Sequence, residues 1–182
     1  FWQQPGVDPK SIQTEVLLLP ATYFMEKEGT ITGSGRLVQW RYKTVDPPGD
    51  ARADLEIIDA VFKKLRDLYK DSSEEKDQIF KKMVWDYDKG PSKAEEVLKE
   101  INGYDLATKQ FITKIPDLRA DGTTSSGSWI YAGVFGGGQN LTKRRDNKTD
   151  PSGLGIYPGF AWTWPGNIHI LYNRASADKN GK

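Results

Sequence analysis

The sequence has 182 residues, with 26 Lys plus Arg against 25 Asp plus Glu, for a formal net charge of +1. So even a balance excludes nucleic-acid binding driven by bulk charge, and no stretch approaches the roughly 18 apolar residues that a membrane span needs. With 28% charged and 12% aromatic residues, the chain is expected to fold as one domain of ordinary size.

In chain order, residues 12–19 are rich in apolar and β-branched side chains. Val16, Leu17, Leu18 and Leu19, ending at Pro20, predict a short buried strand. Gly29, Gly33 and Gly35 fall within seven residues and predict a loop with unusual backbone angles or a close approach to something. Residues 37–42 follow, then a turn at Pro47-Pro48-Gly49.

Three amphipathic helices are expected next. The first covers 53–69, with Ile57, Ile58, Val61, Phe62, Leu65, Leu68 and Tyr69 on one stripe and Asp54 and Glu56 in its first turn. The second covers 73–87, with Ser72 and Glu75 as a capping box and a stripe of Ile79, Phe80, Met83, Val84 and Tyr87. The third covers 93–101, with Ser92 and Glu95 at its start and Gly103 as its stop. From 120 to 182, Gly, Ser, Thr, Asn and aromatic residues dominate without a long periodic segment. That portion reads as ordered loops with short strands or helices, for example at 128–135 and 168–172. The fold class expected is α/β: a strand and helix portion at 1–119, then a loop-rich portion at 120–182.

The chain contains no cysteine and one histidine. Thiolate metal sites, iron–sulfur ligation and a cysteine nucleophile are therefore excluded within it, as is a multi-histidine zinc site. His169 sits in a strand-like alternation and reads as structural. The Gly133–Gly138 run lacks both phosphate-loop spacings and reads as a flexible turn. Glu26 and Glu28 invite a paired-carboxylate reading, but nothing sets them in two different environments. Lys143, Arg144 and Arg145 read as a solvated loop. Asn140 and Asn147 open glycosylation sequons of a kind common by chance. Trp162 and Trp164 form either a sugar-stacking face or, preferably, an anchor for a loop on the core. Arg36 with Gln39 is the best polar site. The guanidinium is a planar donor fork for a phosphate or heterocycle, and the nearby glycines let backbone N–H groups approach an anion. An Arg36 ion pair with Glu26 or Glu28 is an equal alternative.

A series of motifs carries a resemblance. It begins with TEVLLLP at 14–20, EKEGT at 26–30 and GSGRLVQW at 33–40, continues through PPG at 47–49 and LRADGTTS at 118–125, and reaches RRDN at 144–147. DPSGLG at 150–155, PG at 158–159, AW at 161–162 and WP at 164–165 follow, and ILYNRASAD at 170–178 closes it. These runs resemble the large subunit of molybdenum- or tungsten-dependent formate dehydrogenases of the respiratory or periplasmic type. The chain departs from that pattern at Leu37, where the family usually has Trp, at Gly33, where it often has Asn, and at Ser128, where several members have Cys.

The resemblance implies a much longer enzyme that oxidises formate to carbon dioxide at a molybdenum or tungsten centre held by bis-pyranopterin guanine dinucleotide. Its electrons leave through a [4Fe–4S] cluster. The cluster cysteines and the metal-ligating selenocysteine or cysteine fall in family segments not present here, so no catalytic or metal-ligating residue is assigned. Ser34, Arg36 and Gln39 are the candidate cofactor-binding residues. The chain matches a middle-to-late portion of that subunit, and both of its ends read as cuts. Alone it is expected to bind no cofactor and to be inactive. The implied partners are the rest of the large subunit and an iron–sulfur electron-transfer subunit, in a periplasmic or membrane-associated complex, without nucleic acid and without direct membrane insertion. The loop-rich half is expected to expose apolar surface toward those partners. The alternative from another class is a stand-alone interaction or carbohydrate-binding module that displays Trp162 and Trp164.

Overall fold

The structure is a computed structural model in which residues 3–33, 36–144 and 160–163 are described. After a 3₁₀ turn at Pro9–Ser11 comes a hairpin. Strand β1, Gly29–Thr32, pairs antiparallel with β2, Val38–Arg41, in the register Gly29↔Arg41, Thr30↔Trp40, Ile31↔Gln39 and Thr32↔Val38. The glycine-rich loop expected at 29–36 is thus only half loop. Thr30, Ile31 and Thr32 have the branched side chains that suit a pleated strand and join the ladder. Along β2, Val38 and Trp40 are buried while Gln39 and Arg41 face out, the period-two pattern of a strand with one covered face. A short stretch at 160–163 runs alongside. Val38 N–H donates to Ala161 O, Thr163 N–H donates to Arg36 O, both at 2.9 Å, and Leu37 bridges Trp162.

The strand expected at 12–19 does not form among the described residues. Val16, Leu17, Leu18 and Leu19 stand 74, 77, 91 and 59% exposed. An apolar run becomes a strand only where a ladder accepts its backbone, and here pairing starts one step later. Ala21 makes a parallel bridge with Arg52, whose N–H donates to Pro20 O at 3.2 Å and whose carbonyl accepts from Thr22 N–H at 3.1 Å.

Helix α1, Asp54–Tyr69, forms almost as expected, with Glu56 accepting the Ala53 N–H at 3.3 Å to close its first turn. The second helix does not reach the expected length. A 3₁₀ turn at Glu75–Asp77 leads into α2, Gln78–Lys82, and the chain is extended from Met83 onward. Arg66 of α1 explains the stop. Its guanidinium takes the carbonyls of Phe80 (3.3 Å) and Met83, oxygens that the last turn leaves unsatisfied. The extended segment then lays Trp85 on Phe62, ring centroids 4.5 Å apart. Ser72 does not complete the expected box with Glu75; its hydroxyl donates to Asp77 at 2.7 Å and accepts the Glu74 N–H at 3.2 Å.

Helix α3, Lys93–Asn102, ends at Gly103, whose φ of 88° is the left-handed geometry that glycine adopts without strain. A Cβ at Gly103 would lie 2.1 Å from the Ser125 backbone oxygen, so the close approach also requires glycine. Strand β3, Tyr104–Asp105, pairs antiparallel with β4, Thr124–Ser125. Short 3₁₀ turns at Trp129–Tyr131, Gly136–Gly138 and Leu141–Lys143 follow. The described residues are therefore a mixture of helices, two small antiparallel sheets and ordered loops.

One core cluster joins these parts: Val38, Trp40, Leu98, Val134, Phe135 and Ala161. Asn102 organises it from α3. Its side-chain amide donates to the Gly103 and Ile112 carbonyls at 2.9 and 3.0 Å, and its oxygen accepts the Gly133 and Phe135 N–H groups at 2.8 Å each. The Gly133–Gly138 run, expected as a loose turn, is held by these bonds with Val134 wholly buried. In the described part of the loop-rich portion, residues 120–144 and 160–163, little of the expected apolar exposure is present. Among the described residues beyond 120, Trp129 is the large apolar side chain left exposed; the others lie between Val16 and Leu106.

Candidate functional site

Arg36 enters β2 from the glycine turn with φ at 63°, a left-handed backbone uncommon for a residue with a Cβ. Three bonds hold it there. Its N–H donates to Gly33 O at 2.9 Å, and its carbonyl accepts the Thr163 N–H at 2.9 Å and the Thr163 hydroxyl at 3.4 Å. The backbone of Arg36 is thus seated by a residue more than a hundred positions away, which the sequence does not reveal. Gln39 lies on the outward face of β2, exposed. Ser34 lies outside the described residues. Glu26, the other half of one alternative for Arg36, turns back to accept the Tyr23 N–H at 2.9 Å.

Beside the hairpin is a cleft of about 690 Å³, bounded by the 26–28 segment and the N-terminal ends of α1 and α3. Its lining is highly charged, and its three lysines are ion-paired, two of them with carboxylates outside the lining. Lys27 pairs with Asp54, and Lys43 with Asp46 at 2.8 Å. At its edge Lys93 reaches the buried Asp59 at 2.7 Å and also Asp88. Asp59, 4% exposed, further accepts Lys63 at 2.8 Å and the Trp85 indole N–H at 2.8 Å. Burial opposes the ionisation of Asp59, but the hydrogen bonds from Lys63 and Lys93 outweigh it and hold the carboxyl below its ordinary range. The Lys63 ammonium is raised by its bonds to Asp59 and Asp88. Tyr87, which lines the cleft, is raised by burial and by its hydroxyl bond to Glu100 at 2.5 Å. This arrangement pins α1, the 83–88 segment and α3 together. Sequence reading missed Asp59, although a carboxylate lying between Ile58 and Phe62 on an apolar helix face was a signal for a buried, paired acid.

The remaining sequence candidates sort by packing. Trp162 is 4% exposed and presents no ring to solvent, which removes half of the proposed sugar-stacking face; Trp164 lies outside the described residues. Lys143, expected in a solvated loop, pairs with Glu95 of α3 and sits 4.9 Å over the Trp40 ring. Arg144 lies 6.0 Å over the Phe160 ring, and Arg145 is outside the described residues. Asn140 accepts from the Thr142 N–H at 3.1 Å and from its hydroxyl at 2.5 Å, with Thr142 buried, so this sequon is part of a packed turn. Asn147 and His169 lie outside the described residues. Among the described residues no group of three or more His, Cys, Asp or Glu is placed to hold a metal ion, and no helix is long and apolar enough to cross a membrane.

Residues 16–64, which include the hairpin and most of α1, match the molybdopterin oxidoreductase family. Over its whole length the chain is 46% identical to the major subunit of the nitrate-inducible formate dehydrogenase of Escherichia coli (strain K12) and 44% identical to the formate dehydrogenase-O major subunit of the same organism. It is 39% identical to the formate dehydrogenase alpha subunit of Megalodesulfovibrio gigas, again over the whole chain. The chain spans about 20% of the length of each of these relatives. The resemblance read from the motifs is thus to formate dehydrogenase large subunits, and it extends through the regions where the motifs are sparse.

Proposed function

We propose that this chain is a middle-to-late segment of the large subunit of a formate dehydrogenase, which oxidises formate to carbon dioxide and passes electrons through a [4Fe–4S] cluster to an iron–sulfur partner subunit in a periplasmic or membrane-associated complex. The observation that supports the reading most is identity of 39–46% sustained over the entire chain against subunits of one activity. The segment's part in that enzyme is to wall the pterin cofactor, with no catalytic group of its own.

The residues fit such a group by their donor chemistry. Arg36 offers a planar fork of N–H donors that matches a phosphate or the oxygen-bearing edge of a heterocycle in two parallel bonds. Gln39 offers one acceptor and two donors from an exposed strand position. Gly33 leaves room, since a Cβ placed there meets nothing within 4 Å. Ser34 completes the proposed set with a hydroxyl. When bound, the bis-pyranopterin guanine dinucleotide with molybdenum or tungsten supplies the two-electron oxidation of the substrate. The contribution of this chain is to hold and orient it, through a backbone at Arg36 fixed by Thr163.

The test uses the intact subunit. Arg36→Ala is expected to lower pterin and metal content together, and Gln39→Ala to do so less. Wild-type content of both in the Arg36 variant removes the assignment. The 182-residue chain alone is expected not to reduce a dye with formate; reduction by it would refute the reading of the chain as a segment.

A further inference from the structure

We propose that Trp85 and Tyr87 form a relay for electron holes: Trp85 gives one electron to a small diffusible radical oxidant, and the hole is delivered to the charged cleft as a tyrosyl radical at Tyr87. Neither residue belongs to the candidate cofactor-binding set, so the relay stands apart from the proposed pterin wall.

Three features make the pair. First, the two rings touch edge to face, with centroids 5.3 Å apart and planes at 69°. Tryptophan and tyrosine are the aromatic side chains that give up an electron most readily, and rings in contact pass one directly. Second, each ring aims its acidic proton at a carboxylate. The Trp85 indole N–H donates to Asp59 at 2.8 Å, and the Tyr87 hydroxyl donates to Glu100 at 2.5 Å, the short distance of a bond to a charged acceptor. The two carboxylates differ in what they can take. Asp59 is buried and already accepts Lys63 and Lys93, which keep it ionised. It therefore stabilises a positive charge on the Trp85 ring without removing the indole proton. Glu100 is exposed and forms no ion pair among the described residues, so it can take the Tyr87 proton and pass it to water. Third, the two ends face different surroundings. Trp85 lines an apolar groove with Ile57, Ile58, Val61 and Leu65 and stacks on Phe62, whereas Tyr87 lines the charged cleft. The oxidant removes one electron from Trp85 and is itself reduced by one. Tyr87 then returns an electron to the Trp85 ring while its O–H bond breaks and the proton goes to Glu100. A tyrosine that can shed its proton is easier to oxidise than a tryptophan, so this step runs downhill. Trp85 is restored with its N–H intact, and a neutral radical stands at the cleft. A small thiol there gives a hydrogen atom, remakes the O–H bond and leaves as a thiyl radical, and Glu100 returns its proton to water.

Pulse radiolysis tests the relay in the full-length protein that carries this sequence, with the azide radical as oxidant. Tryptophan-radical absorbance is expected to decay partly in a first-order phase that is independent of protein concentration, while tyrosyl absorbance rises at the same rate. Tyr87→Phe and Trp85→Phe keep an aromatic ring at each position, and each is expected to lose the same part of that phase. The double variant is expected to lose no more than either single one, because both residues serve one transfer. Glu100→Gln, which leaves both rings in place but takes no proton, is expected to slow the transfer about tenfold or more. Wild-type protein whose tryptophan radicals decay only by bimolecular reaction overturns the relay. A phase undiminished in Tyr87→Phe, or losses that add in the double variant, overturns it as well. A wild-type rate in Glu100→Gln overturns the transfer of the proton to that carboxylate.

Discussion

The apolar run at 16–19 and the loop around Gly133–Gly138 reverse the usual expectation. The first is the most strongly apolar stretch in the sequence, yet Leu18 is 91% exposed. The second is glycine-rich and aperiodic, yet Val134 is fully buried and Phe135 nearly so. The difference is where the backbone groups find partners. Around Gly133 they find Asn102, one side chain that satisfies two carbonyls and two N–H groups and turns irregular chain into core. At 16–19 no such partner is present among the described residues, so hydrophobicity alone does not bury the segment. Burial follows from satisfied hydrogen bonds as much as from apolar surface.

The contrast can be broken first at Asn102. Asn102→Ala leaves the Ile112 carbonyl and the Gly133 and Phe135 N–H groups without this partner and takes one of two donors from the Gly103 carbonyl, and is expected to cost about 5 kcal/mol or to abolish cooperative urea unfolding of the chain. A loss under about 1 kcal/mol would mean that the loop packs without this hub. Gly103→Ala comes next. It sets a Cβ against the Ser125 oxygen and forces a left-handed backbone on alanine, for an expected loss of about 3 kcal/mol in the same measurement.

A pH series sharpens the contrast from another side. Asp105, the last residue of β3, is held down from 3.8 to about 2, chiefly by the Thr108 N–H and then by the Arg119 guanidinium. A carboxyl depressed in the folded state contributes stability that is fully present above its unfolded value. That contribution is lost as the pH falls from near 3.8 through about 2. Asp105→Asn is therefore expected to be less stable at neutral pH and to lose less on acidification across that window; an unchanged slope would remove Asp105 from the account. The smallest effect is expected at the exposed run. Leu17→Ser with Leu18→Ser should change the unfolding free energy of the chain by no more than about 0.5 kcal/mol. The same pair should reduce self-association in sedimentation, because the exposed apolar template is gone. A large destabilisation would show that the run is already packed.

Much of the helical content was legible in the sequence. The apolar stripe and acidic first turn of α1, and Gly103 at the end of α3, are local signals, and local signals survive whatever surrounds them. The second helix was over-read because its pattern through Tyr87 is equally good for an extended segment. Arg66 capturing the α2 carbonyls, and Trp85 stacking on Phe62, decided between the two. Of the candidate site, the residue types at Arg36 and Gln39 were legible, as was the family resemblance, because both depend only on the order of residues. The seat of Arg36 on Thr163, the burial of Trp162 and the Asp59 network were not. Apart from the Asp59–Lys63 pair one helical turn apart, each joins positions separated by 26 or more residues, and only the folded chain sets those distances. Amino-acid order determined which segments favour helix, turn or strand. Tertiary structure determined which of them found partners, because a backbone hydrogen bond or a buried charge is stable only when a group distant in sequence arrives to complete it.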